Sequence, residues 1–228
     1  QDLIRSENAK FGTRDWLLTN VRIDLDTLWR SPGIEGYCSA TSVGIGDTLK
    51  IMVSTNPVSE FSLEIFRTGY YGGDGGRSMK LFDSLKGKTQ PDLQIGDSRL
   101  CECKWEPSVE FEIPDDWLSG VYLGKLTTKK ERLQSYVIFI VRDDRPCDLL
   151  LPCSDTTWAA YNSWSDDRWS LYLDNTNIIN KAGRKKMEHG SGYRVGEFLL
   201  WEYPLSYWME QQGYDVSYIW NMDTHKTA

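Results

Sequence analysis

Thr48-Leu-Lys-Ile-Met-Val-Ser54 and Phe61-Ser-Leu-Glu-Ile-Phe-Arg67 alternate apolar and polar side chains with period two, and Asn56-Pro57 punctuates the gap between them. Successive side chains of a strand point to opposite faces, so this alternation predicts two half-buried strands joined through a turn. Residues 109–113, 120–127 and 135–141 read as further strands. Lys86-Gly87-Lys88, Pro91-Asp92, Pro107-Ser108 and Pro114-Asp115 supply turn signals between and around them. Short strands at such spacing predict a β-sandwich over residues 1–145.

The rest of the composition narrows the function classes. The chain has 228 residues, 40% hydrophobic and 26% charged, enough for a real core and too apolar for wholesale disorder. Val137-Ile-Phe-Ile-Val141 is about the longest apolar run, far short of the roughly 18 residues a membrane helix needs, so no membrane span is expected. A net charge of −7 without a basic block argues against nucleic acid as a partner. Ten Trp, twelve Tyr and seven Phe suggest a recessed, ring-lined site. The five cysteines leave disulfide pairing open, and Cys101-x-Cys103 with only His189 and His225 in the chain does not read as a zinc site. No charged-then-apolar signal segment follows Gln1, which leaves the compartment open with a lean to the cytoplasm.

At Asp143-Asp144-Arg145-Pro146 the pattern changes, and a second unit is expected over residues 146–228. Asp148-Leu-Leu-Leu151 reads as a short buried strand. Phe198, Trp201, Leu205 and Trp208, at three- and four-residue spacing, predict the apolar face of a helix. Its firm part should start near Tyr203, with Pro204 at the first helical position and Gly213 as the cap. Asp215-Val-Ser-Tyr-Ile-Trp220 is the next strand. Strand, helix, strand implies a parallel pair, and a parallel sheet needs more strands and cover on both faces. Further polypeptide completing this α/β unit is therefore expected, as is an oligomer.

Two segments stand out as candidate sites. Arg67-Thr-Gly-Tyr-Tyr-Gly-Gly-Asp-Gly-Gly-Arg77 carries enough glycine to cradle a phosphate, but it follows a strand without opening a helix. The plainer reading is a wide turn whose glycines take positive φ while Tyr70 and Tyr71 pack. Thr156-Thr-Trp-Ala-Ala-Tyr-Asn-Ser-Trp164 follows the first strand of the second unit, and ligands of open α/β sheets bind at the carboxyl ends of strands. Trp158, Tyr161 and Asn162 are thus placed for function, against the alternative of an aromatic plug between the two units.

Ile34-Glu-Gly-Tyr-Cys38, Arg67-Thr-Gly-Tyr-Tyr-Gly-Gly73, Trp158-Ala-Ala-Tyr-Asn162 with Ser170-Leu-Tyr172, and Glu210-Gln-Gln-Gly-Tyr-Asp-Val-Ser-Tyr218 together resemble the large-subunit family of N,N-dimethylformamidase. The resemblance implies a β-sandwich followed by a glutamine-amidotransferase-like α/β domain. It further implies hydrolysis of small amides at a mononuclear ferric iron held by two tyrosines and one glutamate. Tyr161 matches the first tyrosine ligand; Tyr203 lies at the distance of the second, with Tyr193 a rival. The family's glutamate ligand and catalytic histidine belong to a Gly-His-Asp-Glu-like motif expected beyond Ala228. Trp158 and Asn162 become candidates for holding the amide substrate. The competing expectation is a non-catalytic binding or assembly module whose sandwich recognises a partner or glycan.

Overall fold

The computed structural model describes residues 2–21, 31–92, 94–95, 101–160 and 193–225. The two strands that decide the fold run over Thr48–Ser54 (β3) and Phe61–Thr68 (β4), and they lie in different sheets. One sheet, in the order β1-β3-β8, joins β3 to Glu35–Cys38 (β1) and Pro107–Glu112 (β8). The other, in the order β2-β10-β9-β4-β5, adds Ser42–Gly44 (β2), Gly76–Leu85 (β5), Gly120–Thr128 (β9) and Gln134–Arg142 (β10) to β4. Pairing in the larger sheet is antiparallel except for β2, which runs parallel to β10. Two short strands, Gln94–Ile95 (β6) and Cys101–Glu102 (β7), pair with each other.

Side-chain alternation puts the sandwich core where the sequence places it. Leu49, Ile51 and Val53 of β3 face Leu63 and Ile65 of β4 and Val137, Phe139 and Val141 of β10, all buried in one cluster. β10 then explains its unbroken apolar run, because Tyr136, Ile138 and Ile140 point the other way into a second cluster. A strand covered on both faces has no polar side to show.

That second cluster joins the sandwich to the α/β unit. Leu149–Cys153 (β11) and Val216–Trp220 (β12) pair in parallel, with Leu149 opposite Val216 and Cys153 opposite Trp220. Val216 and Tyr218 of β12 pack with Val121, Leu123 and Ile138 of the sandwich. Asp143 and Arg145 of the boundary segment seal the seam: Ser217 Oγ donates to Asp143, and Arg145 donates to Asp143, Asp215 and the Val216 carbonyl.

Helical structure follows the proline. Tyr203–Gln212, the junction helix, carries Pro204 in its first turn and ends at Gly213, whose φ of 73° is left-handed as a helix cap requires. Ahead of it the chain makes a π-helical turn over Phe198–Glu202, closed by the Tyr203 N–H donating to the Phe198 carbonyl. Pro204 has no N–H to give to residue 200, and the wider turn accommodates that loss. The extra residue rotates the faces. Phe198, Ser206, Met209 and Glu210 are buried, while Trp201 is 70% exposed and Leu205 and Trp208 about half exposed. Spacing alone assigned Trp201, Leu205 and Trp208 to the buried face; the π turn turns that stripe outward.

The glycine-rich segment is the wide turn of the plainer reading, with Gly72, Gly73 and Gly75 at φ of 65°, 103° and 82°. Its Tyr70 and Tyr71 N–H groups both donate to Asn8 Oδ1, from the helix Asp2–Asn8 (α1), so an internal side chain fills the cradle. Beside it lies a buried ionic network. Arg67 pairs two-pronged with Glu210 at 2.8 and 3.1 Å, both side chains fully buried. Glu210 also accepts from Tyr218 and Asn8, and Arg67 donates to Tyr71, whose hydroxyl passes on to Glu7. Glu7 takes Arg77 and Lys10 as well.

Burial works against the ionised form of Glu7, yet Lys10, Arg67, Tyr71 and Arg77 outweigh it and hold its carboxyl below the usual value. A carboxylate whose folded pKa is depressed contributes stability that is fully present above its unfolded pKa of about 4.3 and is lost as pH falls through the lower folded value. Glu7→Gln is expected to lower neutral-pH stability by about 1–3 kcal/mol and to flatten the acid limb of the melting-temperature profile. Parallel profiles for the two proteins between pH 6 and pH 3 would refute this.

Candidate active site

β11 and β12 present their carboxyl ends side by side, and acidic side chains gather there. Ser154 leaves β11 and enters the short helix Asp155–Ala160 (α2), while Asp223 follows β12. The π turn delivers Glu202 to the same edge. Its carboxylate accepts the Trp158 indole N–H at 2.7 Å and the Ser154 backbone N–H at 3.2 and 3.3 Å. Asp155 accepts the Asn221 N–H at 2.8 Å, tying the end of β11 to the end of β12. Asp223 accepts from Ser42 of β2 and from the Trp220 N–H, tying the same edge to the sandwich.

The electrostatics of the edge favour protons. Burial pushes the Glu202 carboxyl above its usual range; the Trp158 and Ser154 donors pull it back, and the charge of Asp155 pushes with burial. The Cys153 thiol is fully buried, and burial with Glu202 and Asp155 beside it drives it well up, so it rests as a thiol rather than a nucleophilic thiolate. A part-buried carboxyl with a raised pKa at a strand end is a candidate for proton transfer.

Of the residues expected from sequence, Tyr161 and Asn162 lie outside the described residues. So do Trp164 and His189. Trp158 is described, and it is 1% exposed, with its ring edge-on to Phe198 at 5.8 Å and its N–H spent on Glu202. It is a core residue whose N–H holds a carboxylate. Glu202 itself was missed. The signal was available, since a charged residue just before Tyr203-Pro204 marks where a helix must be interrupted, but nothing in its spacing says what it touches.

The model of one protein family, described as N,N-dimethylformamidase beta subunit-like, C-terminal, matches residues 62–228. The chain belongs to this family. The match spans β4, the glycine-rich turn, the junction helix and both strands of the parallel pair. No curated protein matches the chain. Among solved structures, a family 123 glycoside hydrolase from Clostridium perfringens, described in terms of glycolipid glycan hydrolysis, shares 15% identity at a TM-score of 0.23. That alignment covers 56% of this chain and 31% of the hydrolase, so the chain spans under a third of that protein's length.

Family resemblance implies an iron, and Tyr203 allows its fit to be judged. The Tyr203 hydroxyl donates to the Gly75 carbonyl at 3.0 Å, with its ring edge-on to Trp16 and Tyr207. Burial, with Tyr207 and Glu210 nearby, holds the phenol well above its ordinary pKa. A metal-bound tyrosine is a phenolate, and a phenolate oxygen at this distance from a carbonyl oxygen would repel it. In this posture Tyr203 does not fit metal ligation. Among the described residues no three His, Cys, Asp or Glu side chains group as metal ligands. The Tyr193 side chain lies outside them.

Proposed function

We propose that this chain contributes to an amide-hydrolysing site acting on small, N-substituted formamides, working with further polypeptide that completes its glutamine-amidotransferase-like α/β unit. The observation that carries the reading is the family match over residues 62–228. The edge described above supports it chemically. Amide hydrolysis adds water to the carbonyl carbon and breaks the C–N bond, so one group must take a proton from water and one must give a proton to the departing amine. Glu202, held by Trp158 and Ser154 at the strand end, is placed to carry one of those protons.

Formate and amine release from N,N-dimethylformamide by the protein with its co-purifying polypeptide tests the reading directly. Wild-type activity with a roughly 10²-fold lower kcat in Glu202→Gln is the expected result. An intact assembly that releases no formate from any formamide would end the proposal. Elemental analysis of the active assembly tests for the iron that the resemblance implies, and for which Tyr161 with Tyr203 or Tyr193 were the expected tyrosines.

A further inference from the structure

The glycine-rich stretch from Arg67 to Gly75 has no part in the reaction proposed above, yet it grips the junction helix at three points. Arg67 takes Glu210 in a two-pronged pair, the Tyr70 ring meets the Tyr207 ring edge-on at 5.3 Å, and the Gly75 carbonyl receives the Tyr203 hydroxyl. Positions 203, 207 and 210 are spaced four and three apart and so share one helix face. One short stretch of the sandwich therefore fits one stripe of the helix over its length, about 10 Å between the outer contacts at 1.5 Å per residue. Glu202 sits immediately before that stripe and reaches away from it, to Ser154 and Trp158 at the end of β11.

We propose that Arg67 is a positioning residue: through Glu210 it seats the junction helix on the sandwich and thereby sets where the Glu202 carboxylate stands at the end of β11. The geometry is selective. A guanidinium fork meets a carboxylate in one plane, so the pair fixes the rotation and the axial position of the helix where a greasy contact would let it slide. The same carboxylate takes Tyr218 from β12 and Asn8 from α1, so the helix, the parallel pair and the N-terminal helix are registered on one group. Backbone supports the fit: a Cβ on Gly69 would stand 2.5 Å from Glu210 and one on Gly120 would stand 2.9 Å from Arg67.

Ordinary structural glue makes a different prediction, and one pair of substitutions separates the two. Replacing a buried ion pair by apolar residues of similar volume is often neutral for stability. In Arg67→Met with Glu210→Leu, made in a Tyr218→Phe background so that no buried hydroxyl is left without its acceptor, in the complete assembly, the melting temperature is expected to stay within a few degrees of that background. The kcat for formamide hydrolysis is expected to fall roughly 10–100-fold with KM nearly unchanged, because small displacements at a reacting centre are costly. Recovery of kcat along with the melting temperature would overturn the proposal.

The activity arm rests on the amide-hydrolase reading, so a second measurement does not use activity. Arg67→Lys keeps the charge and gives up the fork. Its native-state hydrogen exchange is expected to speed at least tenfold at the Ser154 amide, which donates to Glu202, and along Tyr203–Gln212. The amides of β9 and β10 should be unchanged. Unaltered exchange at Ser154, or equal acceleration in β9 and β10, would overturn the proposal even if the wild-type assembly hydrolyses nothing. Inactive wild type with the expected exchange pattern would instead discard the amidase reading and keep the positioning role.

Discussion

Glu210→Ala is expected to lower the unfolding free energy by about 3–5 kcal/mol, the cost of leaving a buried charge without its partner. Four donors converge on this carboxylate: both terminal nitrogens of Arg67, the Tyr218 hydroxyl and the Asn8 amide. Removing it leaves a fully buried guanidinium without its counter-charge, and its Nε already has no partner among the described residues. For a chain of this size each kcal/mol moves the melting temperature by roughly 2–4 °C, so a fall of about 6–20 °C is the expected reading. The pair Lys129–Glu60 is the control: it is closed at 3.2 Å, but both side chains are more than half exposed. Glu60→Ala should cost no more than about 1 kcal/mol, since solvent screens such a pair. Equal losses for the two variants would show that burial of the Arg67–Glu210 pair is not what gives it its weight.

Phe198→Ala should have an effect of similar size and a different reach. Phe198 is fully buried in the cluster between the sandwich and the α/β unit, edge-on to Trp158 and tilted against Tyr203. Truncating a buried phenylalanine costs about 3–5 kcal/mol through lost transfer energy and the cavity left behind. Trp158 loses its packing partner and, with it, the fixed direction of the N–H that holds Glu202. Thermal unfolding should show the loss in stability, and tryptophan emission of the folded variant should shift to the red. The core that contains Phe139 and Trp117 lies on the opposite face of β10 and should keep its hydrogen-exchange protection. A loss under 1 kcal/mol would mean that the cluster re-packs around the hole.

Strands were legible wherever one face is buried and the other wet. β3, β4, β8 to β10 and β12 fall close to where alternation or a short apolar run puts them; β11 falls there too, yet its Leu149 and Leu150, expected to be buried, are exposed. β5 was not read, because an edge strand shows charge and polarity along its length, as Arg77, Lys80 and Asp83 do here. The helix start at Tyr203 and the cap at Gly213 were legible because proline and glycine act through their own backbones. The π turn just before them was not, and of the expected stripe it leaves Phe198 buried while Trp201, Leu205 and Trp208 face outward. Trp158 lies just after β11, as its place in the chain suggests, and its indole N–H is held by Glu202, a partner that no spacing in the sequence shows.

By itself the sequence determined the periodic part of this protein, a sandwich with a parallel pair behind it, and the family to which the chain belongs. Those follow from patterns local in the chain, where each residue's neighbours decide whether it points in or out. Tertiary structure alone decided that Arg67 faces Glu210 across 143 positions, that Asn8 fills the cradle at Tyr70 and Tyr71, and that Glu202 takes the Trp158 and Ser154 N–H groups at the strand ends. A polar side chain is drawn into the core only when the opposite charge or the right donor waits there, and that partner is invisible until the chain has closed on itself.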